Sequence, residues 1–334
     1  MTSYNTSHKL FSLLLATVLI AGCVATATAK SRHGRSKSKA RTAWVKKSGK
    51  KGKSRYSSSS RRRSTSSHRT RRQAAITAEL PFSVSDRIYV SGTTSGGDYV
   101  VFELLGNEAQ SVKKFSTASG TTASGSFMAG GEVFTTSNNS SKAYVLWNGK
   151  TINDLTSGET SNHANAIWLW DDEIYIAGVS GNCPTLWTNG KAVTLDDYTG
   201  AALDVCYANK QTYCCGYTVA DGGQREARIW SSGGKVQVPA GMSVIAGIMV
   251  KGADVWVAGA DHNGKPVAYK NAQQLALNVQ AGDEANTIAV EGDNVYVAGT
   301  AVEQGEKKAI LWVNGERQYL DALKLQNVKL MRDN

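Results

Sequence analysis

Ile88-Tyr89-Val90-Ser91-Gly92, Val133-Phe134-Thr135-Thr136-Ser137, Ile174-Tyr175-Ile176-Ala177-Gly178, Thr212-Tyr213-Cys214-Cys215-Gly216, Val255-Trp256-Val257-Ala258-Gly259 and Val295-Tyr296-Val297-Ala298-Gly299 align without a gap. The first position is β-branched, the second aromatic, the fourth small, and the fifth glycine in five of the six. Their spacings are 45, 41, 38, 43 and 40 residues, the length of a four-stranded propeller blade. A sandwich of two sheets has no reason to repeat its sequence six times, whereas a closed ring of equivalent units does.

Working outward, each unit carries a second aromatic downstream: Phe102, Trp147, Trp187, Trp230, Tyr269 and Trp312. Asn148-Gly149, Asn189-Gly190, Gly233-Gly234 and Asn314-Gly315 follow as tight-turn pairs that tolerate positive φ, so they mark a hairpin between third and fourth strands. A preceding strand with its own turn reads from Ile288-Ala289-Val290-Glu291-Gly292-Asp293. Helices are excluded, because the β-branched and aromatic runs are short and broken by Gly, Asn or Asp. The expected fold over residues 74–334 is all-β, a six-bladed β-propeller of four-stranded antiparallel blades. Seven blades or an altered closure stay open, and residues 321–334, with Asn327-Val328-Lys329-Leu330-Met331, offer a strand to the first blade that would close the ring.

Gly292-Asp293-Asn294-Val295-Tyr296-Val297-Ala298-Gly299 resembles the core of the bacterial secreted β-propeller repeat proteins. The resemblance covers the first half of each repeat. The second half departs from it, with Trp-x-Asn-Gly in place of that family's downstream pattern, and WD dipeptides and the kelch double glycine are missing. The resemblance implies fold and export and transfers no functional residue.

The N-terminal part has a different composition. Residues 1–29 read as an export signal, with Lys9, an apolar run from Leu10 to Ile20 and then small residues. That run is too short to span a bilayer. Two cleavage readings fit it. Ile20-Ala21-Gly22-Cys23 reads as a lipobox that would lipidate Cys23, and it abuts the apolar run; Ala27-Thr28-Ala29 suits ordinary signal peptidase. Residues 30–73 hold 18 Lys and Arg and no acid, so the chain's net charge of +11 describes no single domain and its basic character belongs to this segment. Such a composition predicts a disordered basic tether. Its expected partner is a polyanion, such as anionic lipid, lipopolysaccharide or an acidic polymer, or else it is a solvated linker. The signal segment argues against intracellular nucleic acid. The expected address is outer membrane, periplasm or cell surface as a lipoprotein, or secretion in soluble form.

No nucleophile elbow, zinc-protease helix or phosphate loop occurs in the chain, so no catalytic residue, cofactor or metal site is expected. Cys214 and Cys215 stand where the last repeat has Val297 and Ala298, and they read as core hydrophobes; a bridge to Cys206 across the Asn209-Lys210 turn stays open. Trp168 and Trp170 share one strand face and read as packing between blades.

With the strands of a blade named A to D, the A–B and C–D turns share one face of the disc, and the B–C loops and D–A links share the other. The second set reads as long and varied, which is where binding residues belong. The expected binding residues there are Glu159, His163, Asp221, Asp261, His262, Asn263, Asp283 and Glu284. Their acid excess predicts a cation, a basic protein, the chain's own tether or a neutral glycan as occupant. The expected function is a non-catalytic binding or scaffold propeller of the cell envelope. The alternatives are a polysaccharide hydrolase or lyase with its site on that face, and a tether that is itself the active part.

Overall fold

The computed structural model describes residues 75–117, 120–155, 161–171 and 173–331. The signal segment with Cys23, the basic segment 30–73, and Glu159 lie outside the described residues.

Six antiparallel sheets form a ring, a six-bladed β-propeller. The second blade is β3 (Thr122–Ala129), β4 (Glu132–Asn138), β5 (Ala143–Trp147) and β6 (Lys150–Asp154). The third is β7 (Asn162–Trp170), β8 (Glu173–Ser180), β9 (Cys183–Thr188) and β10 (Lys191–Thr194). The fourth has β11 (Gly200–Ala208), β12 (Gln211–Val219) and β13 (Arg225–Ser231), beyond which Val236 and Val238 pack on the core from irregular backbone. The fifth is β14 (Met242–Lys251), β15 (Asp254–Asp261), β16 (Pro266–Lys270) and β17 (Gln273–Leu275). The sixth is β18 (Glu284–Glu291), β19 (Asn294–Glu303), β20 (Glu306–Val313) and β21 (Glu316–Tyr319).

The first blade joins the two ends of the repeat region. Its inner strand is the C-terminal β22 (Lys329–Met331), paired to β1 (Thr77–Thr93) through Tyr89 with Met331, Val90 with Leu330 and Ser91 with Lys329. β2 (Asp98–Ser116) then folds back on itself. Asp98 at its start accepts from Ser116 Oγ at 2.8 Å and pairs with Lys114 Nζ at 2.8 Å, which an extended strand of 19 residues cannot allow. The reversal falls at Gly106, whose φ is +63°. The four-strand plan is thus kept, and the ring closes through the C-terminal strand as the sequence predicts.

The five-residue motif is the second strand of each blade. It is buried on both faces because neighbouring blades cover it, as in Tyr175 to Gly178. The glycine at its fifth position has a specific cause. A Cβ on Gly178 would overlap the His163 carbonyl oxygen of the inner strand and meet the Trp187 ring at 2.9 Å; on Gly299 it would overlap the Glu284 carbonyl and meet Trp312 at 3.0 Å. The inner strand and the indole of the third strand therefore converge on this residue. Trp187 and Trp312 are buried, and truncating either would cost about 3–5 kcal/mol. The turn asparagines have a second role: Asn148, Asn189, Asn271 and Asn314 accept, through Oδ1, the N–H of Val133, Ile174, Val255 and Val295 at the head of the second strand.

Inner strands touch in the order β22, β3, β7, β11, β14, β18 and back to β22. β3, β7, β11, β14 and β18 each carry a bulge against their neighbour in the blade. Side chains near the bulges bridge the blades. Ser124 Oγ donates to the Ala164 carbonyl, Asn165 Nδ2 to the Ala202 carbonyl at 2.8 Å, and Lys329 Nζ to the Asn286 carbonyl at 3.0 Å, while Asp204 Oδ2 accepts from Ile248 N at 2.9 Å. At the seam between β14 and β18, Gly247 lies so close that a Cβ would sit 2.6 Å from Thr287 Cα. At this belt lies a cavity of about 20 Å³, lined by Ser126, Asn165, Asp204, Thr287 and Lys329, room for about one water.

Candidate functional site

The A–B turns are two residues long where β3, β7, β11, β14 and β18 meet their partners, as are most C–D turns. The opposite face is more varied, and less uniformly long than the sequence suggests. The third and sixth blades cross it with two residues each, Gly181-Asn182 and Gln304-Gly305, while the fourth uses residues 220–224 and the fifth 262–265.

A cavity of about 370 Å³ opens on this face between the 262–265 loop and the link from β17 to β18. Its walls include Asn263, Lys265, Pro266, Gln280, Gly282 and Asp283. The structure thus brings Asn263 and Asp283 together, with Asp261 and His262 in the same loop and Glu284 beside Asp283. Asp221 stands apart, exposed on the fourth blade, and His163 is the second residue of the inner strand of the third.

Two of these acids have structural employment. Asp283 is fully buried and binds Arg317 on β21 with both oxygens, at 2.8 Å to Nε and 2.8 Å to Nη2; Oδ2 also accepts from Gln280 N at 2.8 Å. Burial opposes the Arg317 charge, but the bonds to Asp283 and Tyr319 outweigh it and raise the guanidinium pKa. Asp261 folds its own loop, with Oδ1 accepting from Asn263 N at 2.8 Å and Lys265 N at 2.9 Å, an Asx turn. The acid excess expected of this face therefore shrinks at the cavity. Its walls offer Asn263, Gln280, backbone groups and the exposed ammonium of Lys265.

His163 and Glu284 occupy the same register position, each opposite the residue after the motif glycine, His163 with Val179 and Glu284 with Thr300. They belong to the third and sixth blades, across the ring. Glu284 accepts from Thr300 Oγ1 at 3.0 Å. His163 keeps exposed surface, yet the packed strand ends desolvate its ring and lower its pKa; its Nε2 lies 3.4 Å from Asn138 Nδ2.

Cys206, Cys214 and Cys215 are buried core residues, and burial pushes the Cys214 thiol well up. Trp168 is buried against Phe127, ring centroids 5.1 Å apart, as expected of packing. Trp170 is different: it is exposed and stacks on Tyr207 at 5.5 Å. Trp147 departs further. Trp187, Trp230 and Trp312 pair with the motif's third position, Ile176, Cys214 and Val297, but Trp147 pairs with the second, Phe134. A one-residue shift turns a strand side chain to the other face, so buried Leu146, not Trp147, is the packing anchor of that blade. Sequence reasoning missed this, along with Arg317, Lys265 and Gln280; the signal was that Trp147 abuts Asn148-Gly149, whereas Trp187 and Trp312 stand one residue further off.

No family model and no curated protein matches the chain. Among solved structures it is similar to a computationally designed protein, with 15% identity over 73% of this chain and 73% of that one and a TM-score of 0.39. It is also similar to Drosophila Plexin A in a complex with Semaphorin 1b, with 13% identity over 57% of this chain and 50% of that one and a TM-score of 0.33. No helix of the described residues is long and apolar enough to cross a membrane.

Proposed function

We propose that this chain is a non-catalytic binding or scaffold propeller of a bacterial cell envelope. In this reading residues 1–29 export it, Cys23 anchors it through lipid, and residues 30–73 meet anionic lipid, lipopolysaccharide or an acidic polymer. The ligand contact is the cavity at the fifth and sixth blades. The observation that carries the reading is the commitment of the carboxylate in its wall: Asp283 is held in a buried ion pair, while Asp261 of the neighbouring loop is held in its own turn and Glu284 accepts from Thr300. Hydrolysis or elimination on a polymer calls for a carboxylate free to take and give a proton. A wall of amides, backbone and one ammonium instead suits reversible polar recognition.

The test is co-sedimentation of the full chain with purified cell-wall polymer, alongside an assay for new reducing ends or unsaturated products. Binding that Asn263→Ala with Gln280→Ala weakens, with no product formed, is the expected result. Product formation would overturn the reading in favour of an enzyme, and binding unmoved by the paired substitution would displace the site.

A further inference from the structure

Among the described residues two tryptophans are exposed, Trp147 and Trp170; both stand on the short-turn face, opposite the cavity, and neither is required by the blade. At Trp147's position, opposite the motif's second residue, the other blades have Glu103, Thr188, Ser231, Lys270 and Val313. At Trp170's, the last inner-strand residue before the A–B turn, they have Ala129, Ala208, Lys251 and Glu291. The fold packs without a ring at either place, so these rings need another explanation.

Each indole is held rigidly from beneath. Trp147 lies parallel to Phe134, 6° between planes and 6.2 Å between centroids; Trp170 stacks on Tyr207, which stacks in turn on Tyr175 at 5.4 Å. With one side supported, they remain 47% and 46% exposed. Hydrogen-bonding groups border the rings. Glu132 accepts from Trp147 Nε1 at 3.3 Å and from Asn148 Nδ2, and Glu173 accepts from the Tyr175 hydroxyl. Charge around Trp147 is balanced, since Lys113 lies 3.9 Å from Glu132.

We infer that Trp147 and Trp170 form a two-ring platform for a neutral oligosaccharide. A pyranose presents apolar C–H faces between rims of hydroxyls, which complements a fixed aromatic face bordered by carboxylates and amides. A cationic ligand would have to displace Lys113, and an anionic one would meet Glu132, Asp171 and Glu173. A protein partner would want a continuous apolar patch, but Asn148-Gly149-Lys150 and Asp171 interrupt this one. The rings stand on adjacent blades, on the third strand of one and the first strand of the next. Two strand spacings and one sheet spacing put them on the order of 15 Å apart, a reach for several linked sugars rather than a monosaccharide. The platform rests on the binding reading above but uses the other face of the disc, so either site can fail alone.

The test is calorimetric titration of the full chain with maltohexaose, cellohexaose and chitohexaose. Expected is binding of at least one, weakened about tenfold by Trp147→Ala and by Trp170→Ala, lost in the double variant, and largely restored by Phe at either position. Thermal melts of the Phe variants control for folding. If none of the three binds at about 10 mM, or if binding survives the double variant, the platform is wrong. Binding that Asn263→Ala with Gln280→Ala removes while the tryptophan variants leave it unmoved would overturn the platform and keep the cavity.

Discussion

Asp283→Asn tests the reassignment of this residue from ligand contact to structure. The substitution keeps shape and one acceptor but removes the bidentate counter-charge of the Arg317 guanidinium, 4% exposed, and leaves it only the more distant Glu303, 3.7 Å from Nη2; the Asp283 carboxylate is itself 0% exposed. Breaking a buried pair from one side costs about 3–5 kcal/mol. For a domain of this size each kcal/mol shifts the midpoint by roughly 2–4 °C, so the melting temperature should fall by about 6–20 °C. Replacing both partners, Asp283→Leu with Arg317→Met, should recover much of that loss, because no lone charge then remains. Thermal unfolding followed by near-ultraviolet circular dichroism measures both. A fall below about 2 °C for Asp283→Asn would show the pair to be solvated and the acid available to a ligand.

Gly299→Ala drives a methyl into the Glu284 carbonyl and against Trp312, so the sixth blade should lose about 1–3 kcal/mol or more, read by urea denaturation. Ending the chain at Lys324 removes Val328, Leu330 and Met331 from the core, at about 1.5–3 kcal/mol each, and should abolish the cooperative transition in the same assay. His163 has a lowered pKa in the fold, so the unfolded chain binds the extra proton first. Its contribution is complete above about pH 6.5, its unfolded value, and declines as pH falls through the folded value. Melting temperatures between pH 7.5 and 5 should therefore fall less steeply in His163→Gln than in the parent.

The ring was legible because its motif is short and local: a β-branched residue, an aromatic ring, a small residue and a glycine recur wherever an inner-strand carbonyl and an indole meet. Closure was legible too, since Val328, Leu330 and Met331 are apolar residues with no repeat of their own to complete. The site was harder. Asp283 looks like a loop acid until Arg317, 34 residues later on another strand, is placed beside it, and no local pattern announces that pairing. Trp147 was misread for the opposite reason. A local pattern existed, but one missing residue between the ring and Asn148-Gly149 reverses the face, and counting aromatic anchors overlooks a change of parity.

Because β22 fills the innermost place of the first blade, the chain's spatial order differs from its order of synthesis. Ser91 donates to the Lys329 carbonyl across 238 residues. Every other blade closes on its own sequence and gains most of its pairing from neighbours a few residues away, whereas the first presents the inner edge of β1 until the last strand arrives. Ring closure is then the slow, long-range step, paid for in loop entropy. Until it happens, the edge most open to pairing with another chain is that of β1. A chain still being made is an open ribbon of finished blades, and it becomes a disc only once its C-terminal residues are free to reach back.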